Sequence, residues 1–177
     1  MPDVRVLTTA EASSQLLAAA RILCDRAFDG GFSDEDWAHS LGGWHALVVE
    51  GAAVVSHASV VPRDLFVDDR PFRTGYVEAV ATEEGRRRSG LGTLVMMRIA
   101  DVIRQHMQMG ALSTGHHRFY ERLGWERWRG PTYVREGDRL LRTEDEDRGV
   151  MVLRHGPGAT VDLTAAIACP ARAGDDW

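Results

Sequence analysis

The sequence predicts a fold of the α/β (α+β) class, in which helices pack on both faces of one mixed β-sheet. Three observations predict it. Valine-rich stretches with alternating apolar residues are separated by turn residues, which is typical of strands. Two long stretches carry apolar residues at helical spacing. Some of the strands follow one another directly and others alternate with helices, so the sheet needs antiparallel and parallel neighbours.

Length and composition predict a single domain and a location in the cytoplasm. The chain has 177 residues, of which 44% are hydrophobic, and residues 1–177 are enough for one well-buried core. No apolar run reaches the length of a membrane span, and the first residues lack a basic, apolar signal segment. We therefore expect a cytoplasmic protein that has no membrane partner.

The first strand is predicted at residues 4–7. Thr8 with Glu11 matches a capping box, in which two side chains satisfy N–H groups at a helix start. This pattern predicts a helix that runs from there to about Phe28, with one apolar stripe facing the core.

A second capping box follows a Gly-Gly break. Ser33 with Asp36 predicts a short helix around Trp37, which ends at Gly42–Gly43. Both helices come before the main run of strands.

Four strands are predicted in the middle of the chain. Residues 44–49 and 53–61 alternate around a Glu-Gly turn, which favours an antiparallel hairpin. A third strand is expected near residues 65–67. Residues 72–82 are expected to form the longest strand and to lead directly into a loop rich in arginine and glycine.

The second half of the chain repeats helix and strand patterns. A long amphipathic helix is predicted at about residues 91–109, a short strand at 111–113 and a small helix near 117–123. Two further strands are predicted at 125–134 and 149–153, and the acidic segment between them is predicted to be a mobile loop.

The run RRRSGLG, residues 86–92, predicts a site for a pyrophosphate. Arg87, Gly90 and Gly92 have the spacing of an Arg/Gln-x-x-Gly-x-Gly/Ala loop, whose glycines let backbone N–H groups surround phosphate oxygens at a helix start. The same pattern also occurs in plain turns before helices. No Lys-Ser/Thr pair follows it and no Gly-x-Gly-x-x-Gly is present, which excludes a P-loop and a Rossmann fingerprint.

Other features exclude several classes of ligand. The net charge is −5, and aromatic residues do not alternate with the arginines, so we expect no nucleic-acid partner. Cys24 and Cys169 lie far apart and outside any CxxC pattern, which argues against a zinc site or redox pair. The histidines lack ligand spacing, and we predict no metal.

The order of elements resembles that of the GCN5-related N-acetyltransferases (GNAT), which bind acetyl-CoA. More specific matches are FSDEDWAHSLGG at residues 32–43, GYVEAVAT at 75–82, GALS at 110–113 and RAGDDW at the C-terminus. With these motifs the chain resembles the aminoglycoside 2'-N-acetyltransferases. The resemblance implies a GNAT fold, whose mixed and mostly antiparallel sheet contains a central splayed strand pair. It also implies direct attack of an aminoglycoside amine on acetyl-CoA in a ternary complex, with no covalent enzyme intermediate.

The resemblance also implies the residues that bind acetyl-CoA. The central strand of such enzymes has a β-bulge and offers backbone hydrogen bonds to the pantetheine arm, and Val80 and Thr82 occupy those positions here. The predicted pyrophosphate ligands are five residues of the loop and the helix start: Arg87, Arg88, Ser89, Gly90 and Gly92.

Glu78 and Tyr120 match the catalytic positions of the family. The attacking amine must lose a proton and the departing thiolate must be protonated or stabilised, and these tasks suit Glu78 and Tyr120 respectively. An electrostatic anchor is the alternative role of Glu78. Without the resemblance, a strand carboxylate paired with an arginine and a tyrosine that covers the core are the preferred interpretations.

The predicted acceptor site is acidic, as an aminoglycoside or another polycationic amine requires. The resemblance assigns six residues to it: Asp36, Glu78, Ser113, Glu146, Asp175 and the C-terminal Trp177. Two positions depart from the family pattern, because Gly31 stands where relatives have an acid and Ala79 where they have a glycine. These departures motivate a rival function, a GNAT enzyme for another cationic amine or a peptide amine. A CoA-binding sensor or scaffold that has lost catalysis is a second rival, and the presence of Glu78 and Tyr120 argues against it.

Relatives of this kind are generally dimeric, so we expect a homodimer. Apolar residues of the last strands and of the segment 161–168 are the candidates for the subunit contact, and packing within the chain is the alternative for them.

Overall fold

The computed structural model describes residues 2–177. The chain divides into two compact units. The first unit holds the residues up to 61 together with residues 77–102, and the second holds residues 62–76 and 103–177. Strands β3 (Ala53–Val67) and β4 (Arg70–Thr82) contribute residues to both units. None of the helices in the described part of the chain has both the length and the apolar composition that a membrane span needs.

The first unit contains three antiparallel strands in the order β1–β2–β3. Its elements, besides its parts of β3 and β4, are β1 (Val4–Thr8), α1 (Ser14–Ala27), α2 (Asp34–His39), β2 (Trp44–Glu50) and the first turns of α3 (Leu91–His106). The predicted hairpin is confirmed, since Glu50 pairs with Ala53 across a tight turn. The capping box of α2 is also confirmed.

Helix α1 starts later than the sequence predicts. The contacts of a capping box do form, because the Thr8 N–H and the Glu11 N–H each reach the other residue's side chain. They close a turn instead of a helix. The helix begins at Ser14, after Ser13 accepts the N–H of Leu16 as the N-cap.

The core of the first unit joins α1 to the sheet. Ala20, Leu23 and Cys24 of α1 pack against buried residues of the strands, among them Leu47 and Val54. Cys24 is therefore a core residue, and burial raises the pKa of its thiol to about 12.

The separate strand predicted near residues 65–67 is wrong, because those residues belong to β3. Phe66 and Val67 pair with β10 (Ile167–Pro170), and this pairing continues the strand past a Pro-Arg-Asp sequence that looks locally like a turn. As a result β3 has 15 residues and β4 has 13, so the prediction that residues 72–82 form the longest strand is also wrong.

The second unit carries strands in the order β6–β9–β5–β4–β3–β10–β7–β8. Its further elements are β5 (Met109–Ser113), α4 (His117–Glu121), β6 (Glu126–Arg127), β7 (Thr132–Glu136), β8 (Arg139–Arg142) and β9 (Val150–Arg154). Only β4–β5 and β10–β7 are parallel among the pairs whose register the structure describes. The mixed, mostly antiparallel sheet is thus confirmed.

Two elements of this unit differ from the prediction. Helix α3 ends at His106 and not near 109, because Met109 already pairs with β9 as the first residue of β5. The stretch 125–134 forms two strands, β6 and β7. Gly130 lies between them, and a Cβ there would lie 1.9 Å from the carbonyl oxygen of Ala165, so the chain passes too close for a regular strand.

The acidic segment between β7 and β9 contains ordered structure. It holds β8, which pairs with β7, and a helical turn, Glu144–Glu146. The segment 161–168 does not present the exposed apolar residues that a subunit contact would need. Val161, Leu163 and Ile167 are buried within the chain, so they pack inside the fold.

Candidate functional site

The loop between β4 and α3 has the backbone of an anion-binding turn. Arg88 and Gly90 both adopt left-handed backbone, with φ of 63° and 87°. The first hydrogen bond of α3 runs from the Leu94 N–H to the Gly90 carbonyl. The N–H groups of the preceding residues, including Gly92, therefore have no acceptor within the helix. Such alternating turns and helix starts present N–H groups to anions.

The three arginines of this loop are not equivalent. Arg86 forms an ion pair with Glu50 on β2 and is already neutralised. Arg87 and Arg88 are exposed and make no ion pair within residues 2–177. Ser89 donates its hydroxyl to the Arg86 carbonyl and helps to close the turn. Arg87 and Arg88 are thus the two cations of this loop that a polyanion can reach.

A cavity of about 950 Å³ adjoins the same loop within the first unit. Helix α1 contributes apolar side chains such as Ile22 and Leu23 to its wall. The charged residues that line it are Arg26, Asp29, Glu50, Glu83, Glu84, Arg86 and Arg87. Carboxylates outnumber guanidiniums among these residues, so the cavity wall has no excess of positive charge that would attract a polyanion. The loop backbone and its exposed arginines remain the predicted phosphate ligands.

Strand β4 leaves its regular path at the predicted catalytic and cofactor residues. Ala79, between Glu78 and Val80, has a φ of 51°, a left-handed value that is uncommon for any residue other than glycine. Glu78, Ala79 and Val80 are half-buried. This left-handed residue is a backbone irregularity at the position of the predicted bulge.

Side chains of β3 hold the carbonyl groups of this part of β4. The Ser59 hydroxyl donates to the Glu78 carbonyl at 3.1 Å. The Ser56 hydroxyl lies 2.9 Å from that of Thr82, the second predicted pantetheine residue. These serines were not predicted, and a serine on a strand gives no local signal of such a contact.

Tyr120 lies on α4 and is 7% exposed. Its ring makes edge contacts with Phe119 and Trp125, at centroid distances of 4.9 and 6.2 Å. Burial raises the pKa of its phenol to about 12, so the hydroxyl is protonated at neutral pH. No hydrogen bond to this hydroxyl is found among residues 2–177. The ring thus belongs to the core, while the hydroxyl is a donor without an acceptor in the described chain.

Ser113 and Glu146, two predicted acceptor residues, are brought together. The Ser113 hydroxyl donates to Glu146 Oε2 at 2.9 Å. Gly149 makes room for the pair, because a Cβ at that position would lie 2.6 Å from Ser113 Oγ. The carboxylate is half-buried, and a cationic ligand would meet a charge whose orientation is already set.

The neighbouring Asp147 was not predicted, yet it organises the acidic segment. Its Oδ1 accepts hydrogen bonds from the Arg142 guanidinium at 2.6 Å and from the N–H and hydroxyl of Thr132. The hydrogen bond from Arg142 is the main reason why the pKa of Asp147 falls to about 2. Nothing in the acidic run distinguishes Asp147 from its neighbours, since its partners lie on other elements.

The remaining predicted acceptor residues have local contacts of their own. Asp36 caps α2, and its Oδ2 accepts the Ser33 N–H at 2.8 Å. A carboxylate offers about four acceptor positions, so Asp36 keeps capacity for a ligand. At the C-terminus the Trp177 side chain is buried, and the backbone N–H of Trp177 donates to the carboxylate of the exposed Asp175 at 3.2 Å.

The predicted residues fall into two groups. The cofactor residues, Asp36 and Glu78 belong to the first unit. Ser113, Tyr120, Glu146, Asp175 and Trp177 belong to the second. No cluster of three or more His, Cys, Asp or Glu side chains suited to a metal ion is found among residues 2–177.

Comparison with known proteins gives a family and a close relative. A family model described as an acetyltransferase (GNAT) domain matches residues 12–128. A curated aminoglycoside 2'-N-acetyltransferase of Mycolicibacterium fortuitum is 41% identical over 177 residues, which cover 98% of this chain and 91% of that protein.

Solved structures share the fold at low sequence identity. A GNAT family N-acetyltransferase of Escherichia coli, solved in complex with CoA, has a TM-score of 0.69 and 16% identity, covering 95% of this chain and 89% of that one. A GNAT family acetyltransferase of Brucella melitensis, solved with acetyl-CoA, has a TM-score of 0.60 and 14% identity, covering 98% of each chain.

Proposed function

The chain belongs to the GNAT acetyltransferase family and, within it, to the aminoglycoside 2'-N-acetyltransferases, and from this premise we propose that it acetylates the 2'-amine of an aminoglycoside. The observation that carries the proposal is the 41% identity over nearly the whole length of both chains. The consequence for the antibiotic is inactivation, because acetylation removes one of the positive charges of the drug.

The residues of the first unit fit acetyl-CoA. The left-handed loop, the helix start at Gly92 and the exposed Arg87 and Arg88 suit a pyrophosphate. Val80 and Thr82 would offer backbone groups to the pantetheine arm. When bound, acetyl-CoA supplies an activated acyl carbon whose C–S bond breaks as the new C–N bond forms.

Glu78 is proposed to prepare the attacking amine. An aminoglycoside amine is mostly protonated at neutral pH and has no lone pair in that form. The Glu78 carboxylate accepts the proton, directly or through a water molecule, and its negative charge attracts the cation. The left-handed Ala79 next to it fixes the course of the strand on which this carboxylate lies.

Tyr120 is proposed to act on the departing sulfur. Its hydroxyl is protonated and has no acceptor within residues 2–177, so it can donate to a thiolate. A phenol with a pKa of about 12 holds its proton more tightly than a thiol of pKa about 8.5. Tyr120 therefore keeps its proton and stabilises the departing sulfur by hydrogen bonding, and CoA leaves as the thiolate.

The acceptor is proposed to be held by carboxylates. Asp36, Glu146 and Asp175 are the side-chain anions proposed for the ammonium groups, with Ser113 orienting Glu146 and the backbone N–H of Trp177 holding Asp175. Several separate anions suit a polyamine better than one, because each ammonium group can find its own partner.

We also propose that the protein is cytoplasmic and forms a homodimer. The segment 161–168 does not supply the contact, since its apolar residues are buried in the chain. The sedimentation behaviour of the purified protein tests the dimer.

The test of function is CoA thiol release with purified protein and tobramycin, followed by NMR of the product. Acetylation at the 2'-amine is expected. Amikacin, which has a hydroxyl at that position, is the matched negative control, and simple polyamines test the rival acceptor class. If CoA binds and only polyamines react, the acceptor assignment is wrong. Binding of CoA without any turnover would favour the sensor.

A further inference from the structure

Two buried histidines of the first unit have no part in the mechanism above. His45 on β2 and His57 on β3 are both 0% exposed. The rings touch through a hydrogen bond of 3.0 Å between His45 Nδ1 and His57 Nε2. Buried ring nitrogens destabilise a fold unless each has a partner, so the other two nitrogens must also be accounted for.

Both outer nitrogens have partners, and together these contacts form one continuous chain of hydrogen bonds. His45 Nε2 lies 2.8 Å from the hydroxyl of Thr9, which follows β1. His57 Nδ1 lies 2.8 Å from the carbonyl oxygen of Ala79 on β4. The Thr9 hydroxyl in turn accepts the N–H of Gly42 at 2.9 Å. The chain thus crosses the first unit from its half-buried edge at Thr9 to the left-handed residue next to Glu78.

The Ala79 carbonyl, at the end of this chain of hydrogen bonds, determines the direction of every hydrogen bond in it. A carbonyl oxygen can only accept, so His57 Nδ1 carries the hydrogen and Nε2 of the neutral ring accepts. His45 Nδ1 must then donate to it, and His45 Nε2 must accept from the Thr9 hydroxyl. Because the chain ends on a carbonyl, which does not take up a proton, it holds atoms in place and does not conduct protons.

The surroundings keep both rings neutral. Burial lowers the pKa of His45 and of His57 to about 4, and the His45 ring lowers the pKa of His57 further. Cys24 of α1 lies 3.9 Å from the same Ala79 carbonyl, and its raised pKa leaves it an uncharged thiol. The neighbour on α2 is the Trp37 ring, which is uncharged, at 6.2 Å from His57.

The carbonyl at the end of the chain belongs to a peptide that matters for the reaction. Ala79 has a strained φ of 51°, which persists only where surrounding contacts enforce it. In a trans peptide the carbonyl and the N–H point in opposite directions. Holding the Ala79 carbonyl therefore also fixes the Val80 N–H, and it limits the rotation of the backbone that carries Glu78.

We propose that the Thr9–His45–His57 chain positions the Ala79–Val80 peptide, and through it Glu78, for acetyl transfer. This inference rests on the roles proposed above for Glu78 and Val80. His45 and His57 are positioning residues, since they act through the backbone of β4.

The decisive comparison is His57→Leu with His57→Asn. Leucine removes the donor, whereas the asparagine amide places an N–H near the position of Nδ1. We expect His57→Leu to lower kcat by at least about tenfold and to raise the KM for acetyl-CoA, because small displacements of reacting groups are costly. His57→Asn should recover most of kcat. His155→Leu, which changes a histidine that takes no part in this chain of hydrogen bonds, is the control for the loss of an imidazole.

Wild-type kcat in a folded His57→Leu variant would overturn the proposal, and so would equal losses in the leucine and asparagine variants. If neither variant folds, Thr9→Val and Thr9→Ser give the same comparison at the half-buried end. Only serine keeps the hydroxyl that His45 Nε2 requires. Equal kcat in the two Thr9 variants contradicts the proposal.

A readout without turnover separates this inference from the proposed function. Nitrogen-15 NMR of the histidine rings should show both His45 and His57 protonated at Nδ1, in wild-type protein with or without CoA. The opposite tautomer on His57 would overturn the proposed chain of hydrogen bonds even if the enzyme acetylates tobramycin. If tobramycin is not acetylated but the tautomers are as expected, the proposed acceptor is wrong. Weaker CoA binding by His57→Leu would then still support the positioning of Val80.

Discussion

Ser113 donates its hydroxyl hydrogen to Glu146 at 2.9 Å, although the two residues stand 33 positions apart and on different elements. Ser113 ends β5, and Glu146 closes the helical turn before β9. Gly149 leaves the space that the pair occupies. A serine and a glutamate that would each be unremarkable alone therefore present one oriented carboxylate.

Glu146→Gln should weaken the binding of the acceptor. The amide keeps the size of the side chain but removes the charge, and a charge-assisted hydrogen bond contributes about 1.5–3 kcal/mol. We expect the KM for tobramycin to rise about tenfold, equivalent to about 1.4 kcal/mol, with the KM for acetyl-CoA unchanged. Steady-state kinetics with Asp145→Asn as the control checks this. Equal KM values for tobramycin in all three proteins would remove Glu146 from the acceptor site.

Arg87→Ala should weaken CoA binding. Arg87 is exposed and makes no ion pair within residues 2–177, so its charge is available to phosphate, and the contact should be sensitive to salt. We expect the Kd for CoA to rise about tenfold at low salt, with a smaller effect at high salt. Calorimetry measures both values. Arg98→Ala, an exposed arginine of α3, is the control, and equal effects of the two variants would contradict a specific contact.

The sequence predicts well those features whose signals are local. The capping box of Ser33 and Asp36 and the strand, loop and helix around the glycines depend on neighbouring residues, and they form as predicted. Contacts between distant residues carry no such signal. The pairing of Val67 with Ile167 extends β3 through a sequence typical of a turn. The contact between His45 and His57 likewise depends on the register of two strands.

Tyr120→Phe should lower kcat without weakening the fold. The ring is buried, but no hydrogen bond to the hydroxyl is found among residues 2–177, so the substitution leaves no buried partner unsatisfied. Loss of one hydrogen-bond donor to a developing negative charge typically costs about 10²- to 10³-fold in kcat. We expect kcat to fall within this range while the Kd for CoA and the Tm stay close to the wild type. An unchanged kcat would exclude Tyr120 from the mechanism.

Asp147→Asn should lower stability in a way that depends on pH. The folded-state pKa of Asp147 is about 2, below the unfolded value of about 3.9, so its charge stabilises the fold above about pH 4. That contribution is lost as the pH falls toward 2. The side chain is 31% exposed, and after allowance for screening by solvent we expect about 1 kcal/mol at pH 7. Urea unfolding at several pH values measures it. If the free energy of unfolding of the variant still differs from that of the wild type at pH 2, the charge of Asp147 is not the cause.

Ala79→Gly and Ala79→Val test the left-handed residue between Glu78 and Val80. Glycine relieves a strain of about 1–2 kcal/mol, but it loses a half-buried methyl group that contributes about 0.8 kcal/mol when fully buried, so the net change should be small. Valine branches at Cβ and tolerates a positive φ poorly. We expect Ala79→Val to lower the free energy of unfolding by about 2 kcal/mol and to lower kcat as well.

Urea unfolding and thiol-release kinetics on the same preparations measure both effects. Ala53→Val is the matched control, because Ala53 is an exposed residue at the start of β3, where a branched side chain is favourable. Wild-type stability in Ala79→Val would mean that β4 can follow a regular path past Glu78. In that case the side chains of β3 that donate hydrogen bonds to the β4 carbonyls would not determine the backbone path of β4.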